Sequence, residues 1–271
     1  MTIDGLQARF GFTQMPFGRG LAPAMLHRHT AHAEATARIG WCITQRSLGV
    51  ITGEVGAGKT VAVRAALAAH DPARHTTIYI GNPSVGVRGI NQQIVIALGG
   101  VPRFHHATLV PQAADALASE AAERGRTPVL VIDEAHLLTH DQLEAIRMLT
   151  NFDLDSGSPF AALLIGQPEL RRKMRLGVLA ALEQRIGLRY AMPPMTTTET
   201  SSYLKHHTTI AGRADPLFTE DAAALIHRTS RGYPRAVNNL AVQSLIAAFA
   251  TDKALVDESS ARLAVTEVTT D

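Results

Sequence analysis

SLGVITGEVGAGKTVAVRAAL, residues 47–67, is the stretch on which the fold turns. Its apolar opening reads as a strand, its centre as a glycine turn, and its end as the start of a helix. Within it, Gly53-Glu54-Val55-Gly56-Ala57-Gly58-Lys59-Thr60 matches G-x-x-x-x-G-K-[ST] at every fixed position. Glycines at these places let the backbone curl until successive N–H groups converge on an anion at the helix N-terminus. Lys59 is then placed for the β- and γ-phosphates of a nucleoside triphosphate, and the Thr60 hydroxyl for Mg2+. The loop predicts triphosphate binding; the use of that triphosphate has to be read from the rest of the chain.

A chain of 271 residues has room for one large domain, or for a main domain with a smaller one. With 46% hydrophobic and 18% charged residues it reads as well packed. A net charge of +2 permits nucleic-acid contact without arguing for it, so any basic surface must come from local clustering. One cysteine, Cys42, excludes an internal disulfide and suits a reducing compartment. The first residues, MTIDGLQARFGF, lack the pattern of a signal peptide, and no apolar run approaches the roughly 20 residues of a membrane span. These features predict a cytoplasmic protein with no membrane segment.

Apolar runs at 49–52, 77–80, 129–132, 161–165 and 186–190 alternate with helical patterns at 60–69, 90–98, 111–124 and 141–150. That alternation implies a parallel sheet covered on both faces, a three-layer α/β core. After Tyr190 the pattern becomes purely helical. Thr196 and Glu199 have capping-box spacing, Thr219 can cap the next helix, and a third covers about 234–250. The tail from Val256 reads as a last helix with a frayed, Thr-rich end. The expected division is an N-terminal arm and helix (1–46), an α/β ATPase core (47–192) and a small all-helical lid (193–271).

The run 129–132 ends in Asp133-Glu134, acids placed respectively to hold Mg2+ and to polarise the water that attacks the γ-phosphate. Between Lys59 and Asp133 lies one more strand, the insertion expected of additional-strand P-loop ATPases. The chemistry is therefore ATP hydrolysis, with ATP and Mg2+ as ligands, rather than transfer to a metabolite. DEAH also spells a helicase motif, but tandem-domain helicases need two such cores. The run 161–165 ends at Gly166-Gln167-Pro168, where Gln167 could orient the attacking water. Arg235, in the first turn of a helix begun by Pro234, can reach back to the nucleotide.

These parts resemble the AAA+ superfamily. ARFGFTQMPFGRG, ITGEVGAGKT, VIDEAHLL, LLIGQPEL, LEQRIGLRY and RGYPRAVNNL together resemble the ExeA-type ATPases and the related transposition ATPases of the TnsC/TniB kind, over nearly the whole chain. The resemblance implies that Arg185, or Arg189 as runner-up, is presented to the γ-phosphate of a neighbouring subunit, and that Arg235 reports nucleotide state from the lid. Secretion-pathway members continue into a membrane span and a peptidoglycan-binding domain, which this sequence does not show. The resemblance therefore implies a slow ATPase, stimulated by DNA or a partner, that assembles as a ring or helical homo-oligomer on double-stranded DNA and regulates a transposase. An envelope or secretion ATPase and an initiator or helicase loader are the alternatives.

Arg171, Arg172 and Lys173, with Arg175, form the best candidate DNA surface, and Arg88 lies in a glycine-containing loop after the second strand. A solvated or subunit-contact face explains the same cluster. HRHTAH, His105-His106 and His206-His207 read as surface histidines. Trp41 and Cys42 read as core positions of a helix. Phe10, Phe12 and Phe17 anchor the N-terminal arm, dock a neighbour or meet the adenine.

Overall fold

The computed structural model describes residues 2–18, 20–151 and 157–269. In chain order the helices and strands are α1 (Ile3–Phe10), α2 (Thr30–Thr44), β1 (Leu48–Thr52), α3 (Lys59–Ala69), β2 (His75–Ile80), α4 (Gly86–Ala97) and α5 (His106–Ala122). There follow β3 (Thr127–Ile132), α6 (His140–Leu149), β4 (Ala161–Gly166), α7 (Pro168–Met174), α8 (Ala180–Arg185) and β5 (Ile186–Ala191). The chain continues through α9 (Thr197–Ile210), α10 (Glu220–Ser230), α11 (Pro234–Ala250) and α12 (Glu258–Thr269). The frayed end expected beyond α12 lies outside the described residues. No described helix is long and apolar enough to cross a membrane.

The chain divides into two compact units, one comprising residues 34–55 and 59–192, the other 1–33, 56–58 and 193–271. In the first, the described strands form one parallel sheet in the order β2-β3-β4-β1-β5. β4 separates β1 from β3, and β2, the strand expected between Lys59 and Asp133, lies at the edge of the sheet beside β3. β1 and β4 are buried at every position, which is why they read as unbroken apolar runs. Leu48, Val50, Ile78, Ile80, Leu130, Ile132 and Leu164 share one cluster with the apolar residues of α4 to α8. On the other face α2 comes so near that a Cβ on Gly49 would lie 2.8 Å from Cys42 Sγ. Trp41, expected in the core beside Cys42, is instead 51% exposed. Neighbouring helix positions point about 100° apart, and the buried stripe is Ile39, Cys42 and Ile43.

In the second unit the arm is part of the hydrophobic core. Leu6, Phe10, Phe12 and Phe17 are buried with Tyr203, Leu204, Leu217, Ile226, Leu240 and Leu245. Polar ties reinforce them: Thr13 N–H donates to Ala211 O at 2.8 Å, and Arg9 pairs with Asp252 at 2.9 Å. The capping box of Thr196 and Glu199 is formed, and Thr219 caps α10.

The histidines depart from expectation. His105 and His106 are exposed, but His29, His32 and His207 are buried and His27 and His206 partly so. Their rings touch: His27 lies 6.3 Å from His29 and 5.2 Å from His206, and His207 stacks on Phe17 at 5.0 Å. Burial lowers the pKa of His27, His29, His32 and His207, reinforced by neighbouring histidines at His27, His29 and His207 and by Arg28 at His32. His29 falls to about 4 and His207 to about 3, although Glu199 pulls His27 and His29 the other way. Burial opposes the charge of Glu199 itself, yet hydrogen bonds from Thr30 and Thr196 hold it at about 2.

Between the ordinary value near 6.5 and these lowered values, the unfolded chain binds protons that the folded unit refuses. Stability is fully present above that ordinary value and is lost as pH falls through the window. The melting temperature should therefore drop by several degrees from pH 7 to pH 5, and His207→Phe should flatten that dependence. Thermal melts of both proteins across this range provide the check.

Candidate functional site

The glycine turn is built as its sequence suggests. Gly56 and Gly58 take φ of +79° and +91°, the left-handed region in which glycine is unstrained and successive N–H groups can face inward. Lys59, 9% exposed, donates from Nζ to Gly53 O at 2.8 Å and to Glu54 O at 2.9 Å. Its ammonium is thus folded into the loop that it would share with a phosphate. Thr60 Oγ1 donates to Asp133 Oδ2 at 2.9 Å, bringing together the hydroxyl and the carboxylate assigned to Mg2+. Asp133 also accepts the Glu134 N–H at 2.9 Å and the Tyr79 hydroxyl at 3.2 Å. A hydroxyl and a buried carboxylate at the head of a helix are oxygen donors of the kind Mg2+ takes.

The sequence reading missed Tyr79. It sits on β2 between Ile78 and Ile80, whose side chains are buried, so strand alternation turns it outward. Burial and the neighbouring Asp133 push its phenol above its ordinary range.

Glu134 follows β3 in the left-handed region, φ +51° and ψ +34°. For a residue with a Cβ this costs on the order of 1–3 kcal/mol, the kind of strain that clusters at functional sites. Its carboxylate Oε2 lies 3.4 Å from His136 Nδ1. Gln167, at the head of α7, has its Nε2 3.1 Å from His136 Nε2. The two are brought close by Gly166, where a Cβ would lie 3.0 Å from His136 N. Any larger residue would push the 135–137 turn away from β4.

The arginines are placed less uniformly. Arg185 ends α8 at the amino-terminal edge of the sheet, lining a cavity of about 230 Å3 with Ser47, Leu48 and Ser158. The loop of Lys59 leaves the opposite end of β1, roughly 15 Å away at about 3.3 Å per residue. Arg185 therefore cannot serve the phosphates of its own chain. Arg189 lies on the exposed face of β5, and because the β1–β5 register shifts between Leu48 and Gly49 it pairs with Val50. It shares a cavity of about 390 Å3 with Arg171, Arg175 and Glu183, and donates to Glu183 O at 2.6 Å. Arg172 pairs with Glu169 at 2.8 Å, while Lys173 donates to His136 O and Leu138 O at 2.6 and 2.7 Å. The Arg88 guanidinium lies 5.0 Å from the centre of the exposed Phe104 ring. Arg235 is exposed in the first turn of α11, and its N–H donates to Gly56 O at 3.3 Å.

Residues 43–174 match the family model described as AAA domain. The chain is 33% identical over 263 residues to the general secretion pathway protein A of Aeromonas hydrophila. That match takes in 96% of this chain and 48% of the relative, so the chain spans about half the relative's length. Among solved structures it is similar to the Aeropyrum pernix ORC2 protein, with a TM-score of 0.66 at 18% identity, covering 93% of this chain and 70% of that one. The Aeropyrum pernix ORC1 protein, solved in complex with DNA, gives 0.64 at 16% identity, covering 97% and 68%. At such identities the likeness is one of fold: the P-loop AAA+ core with a helical C-terminal part.

Proposed function

Taking residues 43–174 as an AAA domain in an AAA+ fold, we propose that this protein is an ATPase whose hydrolysis controls its own assembly on double-stranded DNA and, through it, a transposase. The observation that carries the reading is the convergence of Lys59, Thr60 and Asp133 on the loop, with Glu134 and Gln167 joined through one imidazole.

Lys59 leaves its two carbonyls for the β- and γ-phosphates, and the N–H groups of residues 53–60 cradle the rest. Mg2+ held by Thr60 and Asp133 would neutralise charge that builds on the phosphate oxygens. Glu134 takes a proton from the attacking water, while Gln167 orients that water. Arg185, remote from its own loop, completes a neighbour's site, so hydrolysis requires a homo-oligomer. Arg235 reads the nucleotide from the first turn of its helix. Arg88, Arg171 and Arg172 supply phosphate contacts to DNA, multiplied around the assembly; Lys173 is engaged by the 136–138 turn instead. A cytoplasmic location follows from this role.

The general secretion pathway relative favours a second reading, an ATPase of envelope or secretion assembly that works on protein partners. ATP turnover with and without duplex DNA separates the two. On the DNA reading, duplex DNA raises the rate severalfold, and the stimulation declines steeply with salt. Turnover indifferent to DNA at every salt concentration would hand the case to the secretion reading.

A further inference from the structure

Asp133 follows β3 as a buried carboxylate, and among the described residues three donors reach it. Oδ1 accepts the Glu134 N–H at 2.9 Å, while Oδ2 accepts the Thr60 hydroxyl at 2.9 Å and the Tyr79 hydroxyl at 3.2 Å. Thr60 and Glu134 already have parts in the site. Tyr79 comes from β2, the edge strand, and has none. An ionised carboxylate offers about two lone-pair positions on each oxygen. The two hydroxyls therefore fill Oδ2, and Oδ1 keeps one position open.

The backbone of the edge strand brings the phenol there. β2 and β3 pair in register, Tyr79 beside Val131 and Ile80 beside Ile132. The ladder runs one residue further, since Asp133 N–H donates to Ile80 O at 2.9 Å, and this fixes Asp133 against the end of β2. Gly81 supplies the room. A Cβ there would lie 3.0 Å from Tyr79 Cε1 and 3.4 Å from its hydroxyl oxygen, so the ring lies over bare backbone. Tyr79 is 55% exposed, and burial is not what holds the ring. Its bond to Asp133 gives a large aromatic a polar reason to fold back at this point.

We propose that Tyr79 is a positioning residue for Mg2+: its hydroxyl holds the Asp133 carboxylate in the orientation that faces Thr60, ready for the metal. A hydroxyl carries one proton and two lone pairs. Thr60 can thus go on donating to Oδ2 while a lone pair of its Oγ1 serves as a ligand, and the Tyr79 bond survives when the site is loaded. Partners of this outer kind orient a metal ligand, and their loss lowers metal affinity. This inference rests on the reading of Thr60 and Asp133 as the Mg2+ side of an ATP site.

Calorimetric titration of ATP into the full chain, over a series of Mg2+ concentrations and in EDTA, tests it. Tyr79→Phe keeps the ring over Gly81 and removes the hydroxyl alone. It should need about tenfold more Mg2+ than wild type to reach tight ATP binding, the low end for an outer partner because water can replace a half-exposed donor. Its Kd for ATP in EDTA should stay within about twofold of wild type, since no phosphate contact is touched. Its melting temperature without ligand should move by no more than about 2 °C. Asp133→Ala removes the group through which Tyr79 acts. Adding Tyr79→Phe to that variant should therefore change the Mg2+ requirement by less than about twofold.

A Tyr79→Phe protein with the wild-type Mg2+ requirement would overturn the proposal. So would an equal loss of ATP affinity in EDTA, which would make Tyr79 a nucleotide contact or a prop of the fold. A comparable further loss in the Asp133→Ala background would do the same. If wild type binds ATP no better with Mg2+ than in EDTA, the Mg2+ assignment itself falls and takes the proposal with it, before any variant is compared.

Discussion

Lys59→Ala should abolish useful ATP binding, weakening it by roughly 10²–10³-fold. That is the worth of about 3–4 kcal/mol for charge-assisted hydrogen bonds to two phosphate groups. The cost to the nucleotide-free protein should be small. Lys59 donates to Gly53 O and Glu54 O, and an open loop lets water take over those carbonyls. The two effects separate in a thermal melt. ATP at about 100 times its Kd raises wild-type stability by about 2.7 kcal/mol through mass action alone. The variant should melt near the wild-type temperature without ATP and show no upward shift with it. A variant that keeps the wild-type shift would mean that the triphosphate sits elsewhere.

Glu134→Gln should separate binding from chemistry. Glutamine keeps the size of the side chain and one of its oxygens, but it cannot take a proton from water. Hydrolysis should fall by about 10²–10⁴-fold, the usual contribution of a general base. ATP affinity should stay within about threefold, because Lys59, Thr60 and Asp133 are untouched. If hydrolysis dismantles the assembly, this variant with ATP should accumulate larger species on duplex DNA than wild type, measurable by sizing or sedimentation. No enrichment over wild type would leave the ATPase intact as a reading and remove the link between hydrolysis and disassembly.

The sheet was legible because its inner strands are buried on both faces. β1 and β4 therefore carry unbroken apolar runs, whereas the edge strand β5 alternates and reads more weakly. Helix starts were less legible. α5 begins at His106, five residues before Pro111, although proline is a natural first-turn signal. Trp41 could have been excluded by spacing alone, since it falls off the stripe of Ile39, Cys42 and Ile43. The buried histidines could not have been found this way. Their burial depends on residues 27–32 lying against 203–207, a pairing across the chain that leaves no local period. At the site, the phosphate loop and the two acids were plain in the sequence, but His136 was passed over inside the quartet that named it. What makes it interesting is its distance to Gln167, and distances between strands are not written in either one.

The helical unit also sets an order of events during synthesis. Phe10, Phe12 and Phe17 find their buried partners among residues 195–261, and Arg9 meets Asp252 across 243 positions. The whole α/β sheet is translated between the two halves of that core. At about 5–20 residues per second, the first phenylalanines wait on the order of 10–40 s for the helices that cover them. During that interval an aromatic segment stands unsheltered beside a sheet that is free to fold. A nascent chain stalled before α11 should therefore be a client of holding chaperones, and one released after α12 should not.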